Sequence, residues 1–307
     1  MKDVVVIGSS NQDIVIKLPR IPNVGETLLG GKSSMIFGGK GANQAVTAAR
    51  LGGDIAFITK LGRDIFGTNM LIHFENEKLP KEFILIDEHE PTGIAQIFVS
   101  EKGENSIAVA PGSNGTLSIQ DLQPFEDLIA NAKFILMQLE IPIKTVEFVA
   151  QFASKSNAKI IINPAPARPL SDDLLSNTWL LTPNEYEASI LTGIQVVDIS
   201  SAQEAGAILL SKGVQHVIIT LGENGSIFCN LKGSTHFKSF KVNAVDTTAA
   251  GDVFNGALAV ALTRGESIIE AIPFASAAAA ISVSKMGAQT SIPHLDEVNE
   301  FLVDRFI

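Results

Sequence analysis

Cysteine, large aromatic side chains and excess positive charge are all scarce in this sequence. Of the 307 residues, one is cysteine, one is tryptophan and one is tyrosine. The single cysteine, Cys229, excludes an internal disulfide and a zinc site built on several cysteines, and its apolar neighbours favour a buried structural residue. The formal net charge of -10 argues against a nucleic-acid partner, because affinity for a polyanion needs clustered Lys and Arg.

Hydrophobic runs long enough for a membrane span or a signal peptide are also missing. The first apolar run begins at Val4 and is too short for a signal peptide. The most apolar later segment, 268–283, is interrupted by Glu270 and Pro273. The sequence therefore predicts a cytoplasmic protein with no membrane partner.

Short β-branched runs alternate with helical patterns along most of the chain. Segments such as GANQAVTAARLG and SAQEAGAILLSKG carry apolar residues at three- and four-residue spacing, which is typical of helices. The alternation predicts an α/β fold with a mainly parallel sheet and helices on both faces. The predicted strands begin near Val4, Asp54, Ala132, Ala158, Trp179 and His216.

Two segments, 13–39 and 92–112, break this alternation. Each alternates apolar and polar residues around turn signals, without an intervening helical pattern. Both predict hairpins of a small antiparallel sheet. Because a strand and a helix separate them in sequence, we expect them to meet as an appendage that serves as a lid, as a dimer contact, or as both.

A glycine-rich turn, FGGKGANQAVTAARLG, begins at Phe37 and leads into a predicted helix. Its glycines permit close backbone approach to a ligand, and Asn43 and Gln44 offer polar side chains in the first helical turn. The same pattern also fits a turn that merely joins a hairpin to a helix. The motif by itself leaves both interpretations open.

A second turn of small residues, DTTAAGDVFNGA, begins at Asp246. Ala249, Ala250 and Gly251 enter a predicted helix, where exposed N–H groups and the helix dipole favour an anion such as phosphate. Asp252 follows directly, although a carboxylate beside a phosphate is repelled. Either Asp252 has a chemical role there, or it is only a helix cap.

Polar residues follow the predicted strands at their carboxyl ends, where open α/β sheets bind ligands. Asn11 and Asp13 can divide the donors and acceptors of neighbouring sugar hydroxyls between them, and an Asx turn is the structural alternative. Asn184 also fits a helix cap, and Gly222 and Gly225 fit turn glycines. Convergence at one edge predicts a single site. The other strand-end residues are Gln138, Glu140, Asn163, Glu187 and Thr220.

Two common nucleotide-binding motifs are excluded. GETLLGGKSS at 25–34 resembles a P-loop, but it has an extra glycine before Lys32 and a strand-like segment after it. No complete G-x-G-x-x-G follows a strand, which argues against an NAD-dependent oxidoreductase.

The motifs GGKGANQA and DTTAAGDVFNGA, with INPAPAR and TPNE between them, closely resemble those of the ribokinase family of carbohydrate kinases. The likeness runs nearly from end to end, from GSSNQD to KMGAQTSIP. It implies one Rossmann-like kinase domain over residues 1–307, with a β-sheet lid that also forms a homodimer interface. It further implies transfer of the γ-phosphate of ATP to the 5-hydroxyl of D-ribose.

The resemblance also implies a role for individual residues. Asp252 matches the catalytic base, beside an anion hole formed by the backbone N–H groups of residues 249–251. Sugar binding is carried over to Asn11, Asp13, Gly39, Lys40, Asn43, Glu140 and Asp252. ATP binding is carried over to Asn184, Thr220, Gly222, Gly225, Gly251 and Ser276. A potassium site is carried over to Asp246, Thr248, Ser282, Lys285, Gly287 and Ser291, and Mg²⁺ is expected with ATP, held through water by Glu187.

Two positions depart from the family pattern, and several alternatives stay open. Ala249 stands where the family usually has glycine, and Ser276 stands where close members often have histidine near the adenine. Other acceptors are 2-deoxyribose, fructose and adenosine, although an aromatic content of 6% gives little sign of a slot for a base. A catalytically silent sugar-binding regulator is the alternative from another class.

Overall fold

The computed structural model describes residues 2 to 306 and contains two β-sheets. Six strands of the larger sheet lie in the predicted β-branched runs, and the strands of the smaller sheet lie in the two segments that break the alternation. The strands at 84–87, 226–230 and 233–237 were not predicted. The strands are β1 (Val4–Ile7), β2 (Asn11–Leu18), β3 (Ser33–Gly38), β4 (Ile55–Gly62), β5 (Ile84–Asp87), β6 (Gly93–Ser100), β7 (Asn105–Ala110), β8 (Phe134–Met137), β9 (Lys159–Ile162), β10 (Leu180–Leu181), β11 (His216–Thr220), β12 (Ser226–Asn230) and β13 (Gly233–Phe237).

The larger sheet has nine strands in the order β13-β12-β11-β10-β9-β8-β1-β4-β5. From β11 to β5 every neighbouring pair is parallel, and β12 and β13 run antiparallel at one edge. The central strands β1 and β8 are buried along their whole length, because helices cover both faces. The predicted mainly parallel, doubly wound sheet is confirmed.

Side chains of β1 alternate between two apolar clusters, one on each face of the sheet. Val4 and Val6 join one cluster, and Val5 and Ile7 join the other. Within residues 2–306 no helix is both long and apolar enough for a membrane crossing. The helices are α1 (Lys40–Arg50), α2 (Ile65–Asn76), α3 (Ile119–Leu122), α4 (Glu126–Ala130), α5 (Ile143–Ala153), α6 (Asp172–Ser176), α7 (Glu185–Thr192), α8 (Ile199–Ser211), α9 (Ala250–Thr263), α10 (Ile268–Val283) and α11 (Leu295–Phe306).

The two segments predicted as an appendage form a separate sheet in the order β3-β2-β6-β7. Each segment is an antiparallel hairpin, β2 with β3 and β6 with β7. The prediction of a wholly antiparallel sheet is wrong, because the two hairpins meet through a parallel pair, β2 with β6. The first residue of β2, Asn11, is paired with the first residue of β6, Gly93, and the two strands run parallel from there.

Candidate active site

The glycine-rich turn before α1 is pressed against the link between β1 and β2. Gly39 has a φ of 90°, which favours glycine, and a Cβ atom there would lie 2.7 Å from the backbone nitrogen of Asn11. A Cβ atom at Gly41 would lie 2.5 Å from the backbone nitrogen of Ser9. Close packing of the protein's own backbone therefore requires these glycines. The packing places the first turn of α1 beside Asn11.

Asp252, in the first turn of α9, is held by two amides from α1. Asn43 Nδ2 donates to its Oδ2 at 2.9 Å, and Gln44 Nε2 donates to its Oδ1 at 2.9 Å. The residue at the N-cap of α9 is Ala249, and no side chain caps this helix. The alternative role of Asp252 as a helix cap is therefore wrong, since its buried carboxylate binds α1.

The loop that enters α9 is strained at Ala249. This residue has a φ of 62°, and the left-handed conformation costs a side chain with Cβ roughly 1 to 2 kcal/mol. The strain explains why glycine suits this position. The Ala250 N–H donates to the Thr247 carbonyl at 3.2 Å, so it has to change partner to bind an anion. At Gly251 a Cβ atom would meet no heavy atom within 4 Å, which leaves its backbone open to a ligand.

Asn11 and Asp13 are buried on one face of β2, which rules out the Asx-turn alternative. Asn114, in the loop after β7, donates from Nδ2 to Asn11 Oδ1 at 2.8 Å. The same residue accepts a hydrogen bond from the backbone nitrogen of Ser10 at 2.8 Å. Because the Asn11 oxygen is engaged, its amide nitrogen is the group left to donate to a ligand hydroxyl.

Lys40 is the cation at the centre of this site. Burial lowers the pKa of its ammonium group, but surrounding carboxylates raise the pKa overall, so the group stays positively charged. Such a charge suits an anionic ligand. The carboxylates that act on Lys40 are those of Asp252, Glu140, Glu187 and Asp13.

Burial raises the pKa values of three of these four carboxyl groups, and two of the three, Asp13 and Asp252, are predicted to bind the sugar. It raises the pKa of Asp13 to about 7, and the nearby charge of Glu140 adds to the shift. Burial also raises the pKa of Asp252, while Lys40 opposes the shift by stabilising the ionised form. Both carboxyl groups therefore hold a proton more tightly than they would in water.

Glu140 and Glu187 are tied into local structure. Glu140 Oε2 accepts from Ser9 Oγ at 2.5 Å and from the backbone nitrogen of Lys40 at 3.1 Å. Glu187 Oε2 accepts from the Asn184 backbone nitrogen at 2.9 Å, and Asn184 Oδ1 accepts from the Glu187 nitrogen at 2.8 Å. Asn184 is thus a helix cap, which was the structural alternative to a role in ATP binding. Burial raises the pKa of Glu187, and this capping hydrogen bond opposes the rise.

A cavity of about 950 Å³ opens beside the start of α9. Its size is typical of a site for a small-molecule ligand, and the apolar walls formed by Phe240, Val242 and Ala279 suit a flat base. Asn184 lies outside its lining, in the cap of α7. The other residues predicted to bind ATP line it, namely Thr220, Gly222, Gly225, Gly251 and Ser276.

Residues predicted to hold potassium meet where the loop before α9 contacts the loop after α10. Asp246 Oδ1 accepts from the Thr248 backbone nitrogen at 2.9 Å, and its Oδ2 accepts from the Gly287 nitrogen at 2.9 Å. The backbone nitrogen of Asp246 donates to the Val283 carbonyl at 3.1 Å. Burial raises the pKa of Asp246, but hydrogen bonds from Thr248 and Gly287 lower it overall, so this carboxylate is ionised.

The other predicted potassium residues use their side chains elsewhere. Ser282 Oγ donates to the Ala279 carbonyl and Ser291 Oγ donates to the Ala288 carbonyl, each within its own helical turn. Lys285 forms an ion pair with Glu297 at 2.5 Å. With their side chains engaged, these three residues have their backbone oxygens left for a cation.

Two residues of the site, Asn114 and Phe240, were not predicted from the sequence. Asn114 lies in GSNGT, which reads only as a turn, and its role depends on contacts with residues about a hundred positions away. Phe240 lines the cavity from an irregular segment after β13 that carries no periodic pattern. Neither residue carries a local signal of its function.

A family model matches almost the whole chain. The pfkB family carbohydrate kinase model matches residues 1–295. This chain belongs to that family. The resemblance drawn from the two glycine motifs is confirmed, and so is the predicted class of kinase.

Full-length relatives agree with this family membership. The chain is 48% identical over 302 residues to a ribokinase of Haemophilus influenzae, with 98% of each chain covered. It is 35% identical over 301 residues to a deoxyribokinase of Salmonella typhi, again with 98% of each chain covered. The chain also matches the structure of Arabidopsis thaliana ribokinase complexed with ribose and ATP, with a TM-score of 0.90. The two sequences are 31% identical, and the match covers 98% of each chain.

Proposed function

We propose that this chain is an ATP-dependent kinase of D-ribose, which forms ribose 5-phosphate and ADP. The observation that carries the proposal is the buried carboxylate of Asp252, held by Asn43 and Gln44 at the junction of the predicted sugar and ATP sites. The ribokinase relative and the ribose complex support ribose as the acceptor. Residues 1–307 act as one kinase unit, with the segments 13–39 and 92–112 as its lid.

In the proposed reaction Asp252 accepts the proton of the sugar 5-hydroxyl while the hydroxyl oxygen attacks the γ-phosphorus. The bond between the γ-phosphorus and the bridging oxygen breaks, and ADP leaves. A raised pKa suits this step, since a base that accepts a proton near neutral pH works best with a pKa near that range. The N–H groups of residues 249–251 stabilise charge on the phosphoryl oxygens, and Lys40 offsets the repulsion from Asp252.

Ribose is favoured by the polarity of its predicted site. Asn11 presents a donor, because Asn114 engages its oxygen, and Asp13 presents an acceptor when it is ionised. Two neighbouring hydroxyl groups satisfy this pair, whereas a substrate that lacks one leaves a buried polar group unpaired at a cost of about 1 to 3 kcal/mol. Gly39, Lys40, Asn43 and Glu140 complete the proposed sugar site.

The first experiment is ADP release by the purified protein with Mg-ATP and K⁺ and one acceptor at a time. We expect D-ribose to give the highest kcat/KM among D-ribose, 2-deoxyribose, fructose and adenosine, because it uses both Asn11 and Asp13. Selective turnover of another acceptor would keep the mechanism and overturn the substrate. No acceptor-dependent ADP release with any of the four would favour a sugar-binding regulator.

The second candidate substrate is 2-deoxyribose. The relative from Salmonella typhi, a deoxyribokinase, favours this candidate. The hydrogen-bond donor of Asn11 argues against it, since 2-deoxyribose lacks one of the hydroxyl groups that the pair at Asn11 and Asp13 would bind. The ratio of the two kcat/KM values decides between them.

We propose potassium as an activator, bound where Asp246 joins the loops before α9 and after α10. Carboxylate and carbonyl oxygens suit a hard cation, and a charge there acts on the neighbouring anion loop. We expect the ribose-dependent rate to be higher in KCl than in NaCl at equal ionic strength, and Asp246→Asn to remove most of the difference. Equal rates of the unmodified protein in both salts would contradict the site.

Mg²⁺ is proposed to arrive with ATP and to neutralise charge on its phosphates. Glu187 fits a contact with this ion through water. One of its oxygens, Oε2, is engaged in the cap of α7, and Oε1 is left for a water molecule. The residue is also close enough to Lys40 for their charges to interact.

The lid is proposed to shield the γ-phosphate from water and to form a homodimer. Shielding suppresses hydrolysis of ATP when no sugar is present. The strand β7 is exposed along its whole length, and Met35, Ile107 and Val109 present apolar side chains on the lid. An exposed strand edge with apolar neighbours favours pairing with a second copy.

The cytoplasm is the proposed compartment. Cys229 is a buried free thiol, as the sequence predicted. Burial raises the pKa of this thiol to about 11, so it stays protonated and unreactive. These features suit a reducing environment.

A further inference from the structure

A chain of buried amides begins at Oδ1 of Asp252, whereas Asn43 contacts Oδ2. It consists of Gln44 in α1, Gln138 after β8 and Asn163 after β9. Their exposed fractions are 0%, 1% and 6%, respectively. No step of the proposed reaction uses these three side chains, and buried polar groups of this kind are unfavourable unless they are paired.

The hydrogen bonds of Gln44 fix the direction in which its amide points. Its Nε2 donates to Asp252 Oδ1 at 2.9 Å and to Asn163 Oδ1 at 3.2 Å, while its Oε1 accepts from Gln138 Nε2 at 2.5 Å. Asn163 is oriented in turn, because its Nδ2 donates to the Thr182 carbonyl at 3.2 Å. A reversed Gln44 amide would place its oxygen against the carboxylate and is therefore disfavoured.

The chain ends in an unpaired group. Gln138 Oε1 is buried and has no hydrogen-bond partner among the described residues. It lies over Gly8, where a Cβ atom would come within 2.1 Å of it. An unpaired buried acceptor opposes folding, so Gln138 is not placed here in order to satisfy its own hydrogen-bonding groups. What Gln138 does provide is a donor that holds the Gln44 oxygen away from Asp252.

We propose that Gln44 is a positioning residue for the catalytic base and that Gln138 and Asn163 hold it in its donating orientation. Gln44 binds Oδ1 of Asp252, while Oδ2 accepts only from Asn43 Nδ2 at 2.9 Å and keeps a lone pair for the hydroxyl proton. A hydrogen bond donated to a carboxylate stabilises its ionised form. Gln44 therefore opposes the rise that burial causes in the pKa of this base. This role rests on the proposed function of Asp252.

Other charges also act on Asp252, and the test has to leave them in place. Lys40 stabilises the ionised carboxylate and Glu140 opposes it. Asp13 and Glu187 interact with Asp252 as well. A change at Gln44 alone alters none of these groups.

The test is the variant Gln44→Met, which keeps the length of the side chain and removes both the donor and the acceptor. We expect the acid limb of the kcat profile against pH, measured at saturating ribose, to move up by about one pH unit, since one hydrogen bond to the ionised form is lost. At pH 7 kcat is expected to fall by up to about 10-fold, because a shift of one pH unit lowers the ionised fraction of the base by no more than that, with the affinity for ATP unchanged. Gln138→Met should produce a smaller shift in the same direction, because it only frees Gln44 to turn.

Gln12→Met is the matched control. Gln12 is also a buried glutamine, but its Nε2 donates to the Ile36 carbonyl within the lid. The acid limb of the pH profile of Gln12→Met should coincide with that of the unmodified protein. A loss of rate in Gln44→Met without any movement of the acid limb would overturn the proposal, because that result describes a packing defect.

A second readout does not depend on activity. Titration of the Asp252 carboxyl carbon by NMR, assigned with Asp252→Asn, should give a higher pKa in Gln44→Met than in the unmodified protein. Equal pKa values would overturn the role of Gln44 even if the enzyme turns over ribose. If the unmodified protein has no kinase activity but the pKa of Asp252 is higher in Gln44→Met, the effect of Gln44 on Asp252 is supported and the proposed function is overturned.

Discussion

Replacement of Asp252 by asparagine is expected to lower kcat by about 10²- to 10⁴-fold, the usual contribution of a general base. The amide cannot accept the hydroxyl proton, whereas the neighbouring donors and the anion loop remain. The affinities for ATP and ribose should therefore change little. Single-turnover phosphorylation of ribose measures the chemical step, and equilibrium titration measures both affinities.

The fold should tolerate this substitution because Asn43 can adapt to it. Asn43 Nδ2 now donates to the carboxylate, and Asn43 Oδ1 is buried without a partner among the described residues. A half-turn of the Asn43 amide would present Oδ1 to the new amide nitrogen at 252. Burial also raises the pKa of Asp252 above its unfolded value, so the ionised carboxylate destabilises the fold as the pH rises. The variant should melt at pH 8 at a temperature no lower than that of the unmodified protein.

Asp198→Asn is the matched control for a carboxylate at a helix start. Asp198 caps α8, where its Oδ1 accepts from the Ser201 backbone nitrogen at 2.8 Å. Asparagine also caps helices, so this variant should keep full activity. Near-normal turnover of Asp252→Asn would show that Asp252 is not the base.

Asp13→Asn is expected to raise the KM for ribose roughly 10- to 100-fold at pH 8, because a hydrogen bond to a charged group contributes about 1.5 to 3 kcal/mol. In the unmodified protein the pKa of Asp13 is about 7, so the carboxyl group gains its full accepting capacity only above neutral pH. We therefore expect the KM for ribose to fall as the pH rises through about 7. The dependence should vanish in the variant.

The same substitution should stabilise the fold, and the sign follows from the pKa. Burial raises the pKa of Asp13 from 3.8 to about 7, so the folded protein binds this proton more tightly than the unfolded chain does. The stability that this group contributes is present below about pH 4 and is lost as the pH rises to about 7. Asparagine carries no such charge. Asp13→Asn should therefore melt at a higher temperature than the unmodified protein at pH 8, by roughly 2 to 4 °C for each kcal/mol gained.

Thermal melts at pH 5 and pH 8 measure this effect. The gain in melting temperature should be larger at pH 8 than at pH 5. Asp54→Asn is the control, since Asp54 is an exposed carboxylate paired with Lys2 at 2.7 Å. A gain for Asp13→Asn that is the same at both pH values would contradict a raised pKa at this position.

Much of the architecture could be predicted from the sequence because it is encoded locally. The buried strands are β-branched runs, and α9 begins at Ala250, among the small residues of the DTTAAGD motif. The two hairpins were also predictable, since apolar and polar residues alternate along each of them. The parallel pairing of β2 with β6 could not be predicted from the sequence, because the register between two distant segments depends on the points at which their strands leave the main sheet.

The roles of individual site residues divide in the same way. The family, the two glycine motifs and the candidate base could be identified without coordinates, since they lie within short contiguous segments. The folded arrangement was needed to show that Asp252 is held by α1, that Asn114 orients Asn11, and that Asn184 is a helix cap outside the cavity. The reason is physical: the hydrogen bonds of Asp252 and Asn11 join residues 103 to 209 positions apart, and no local propensity specifies such partners.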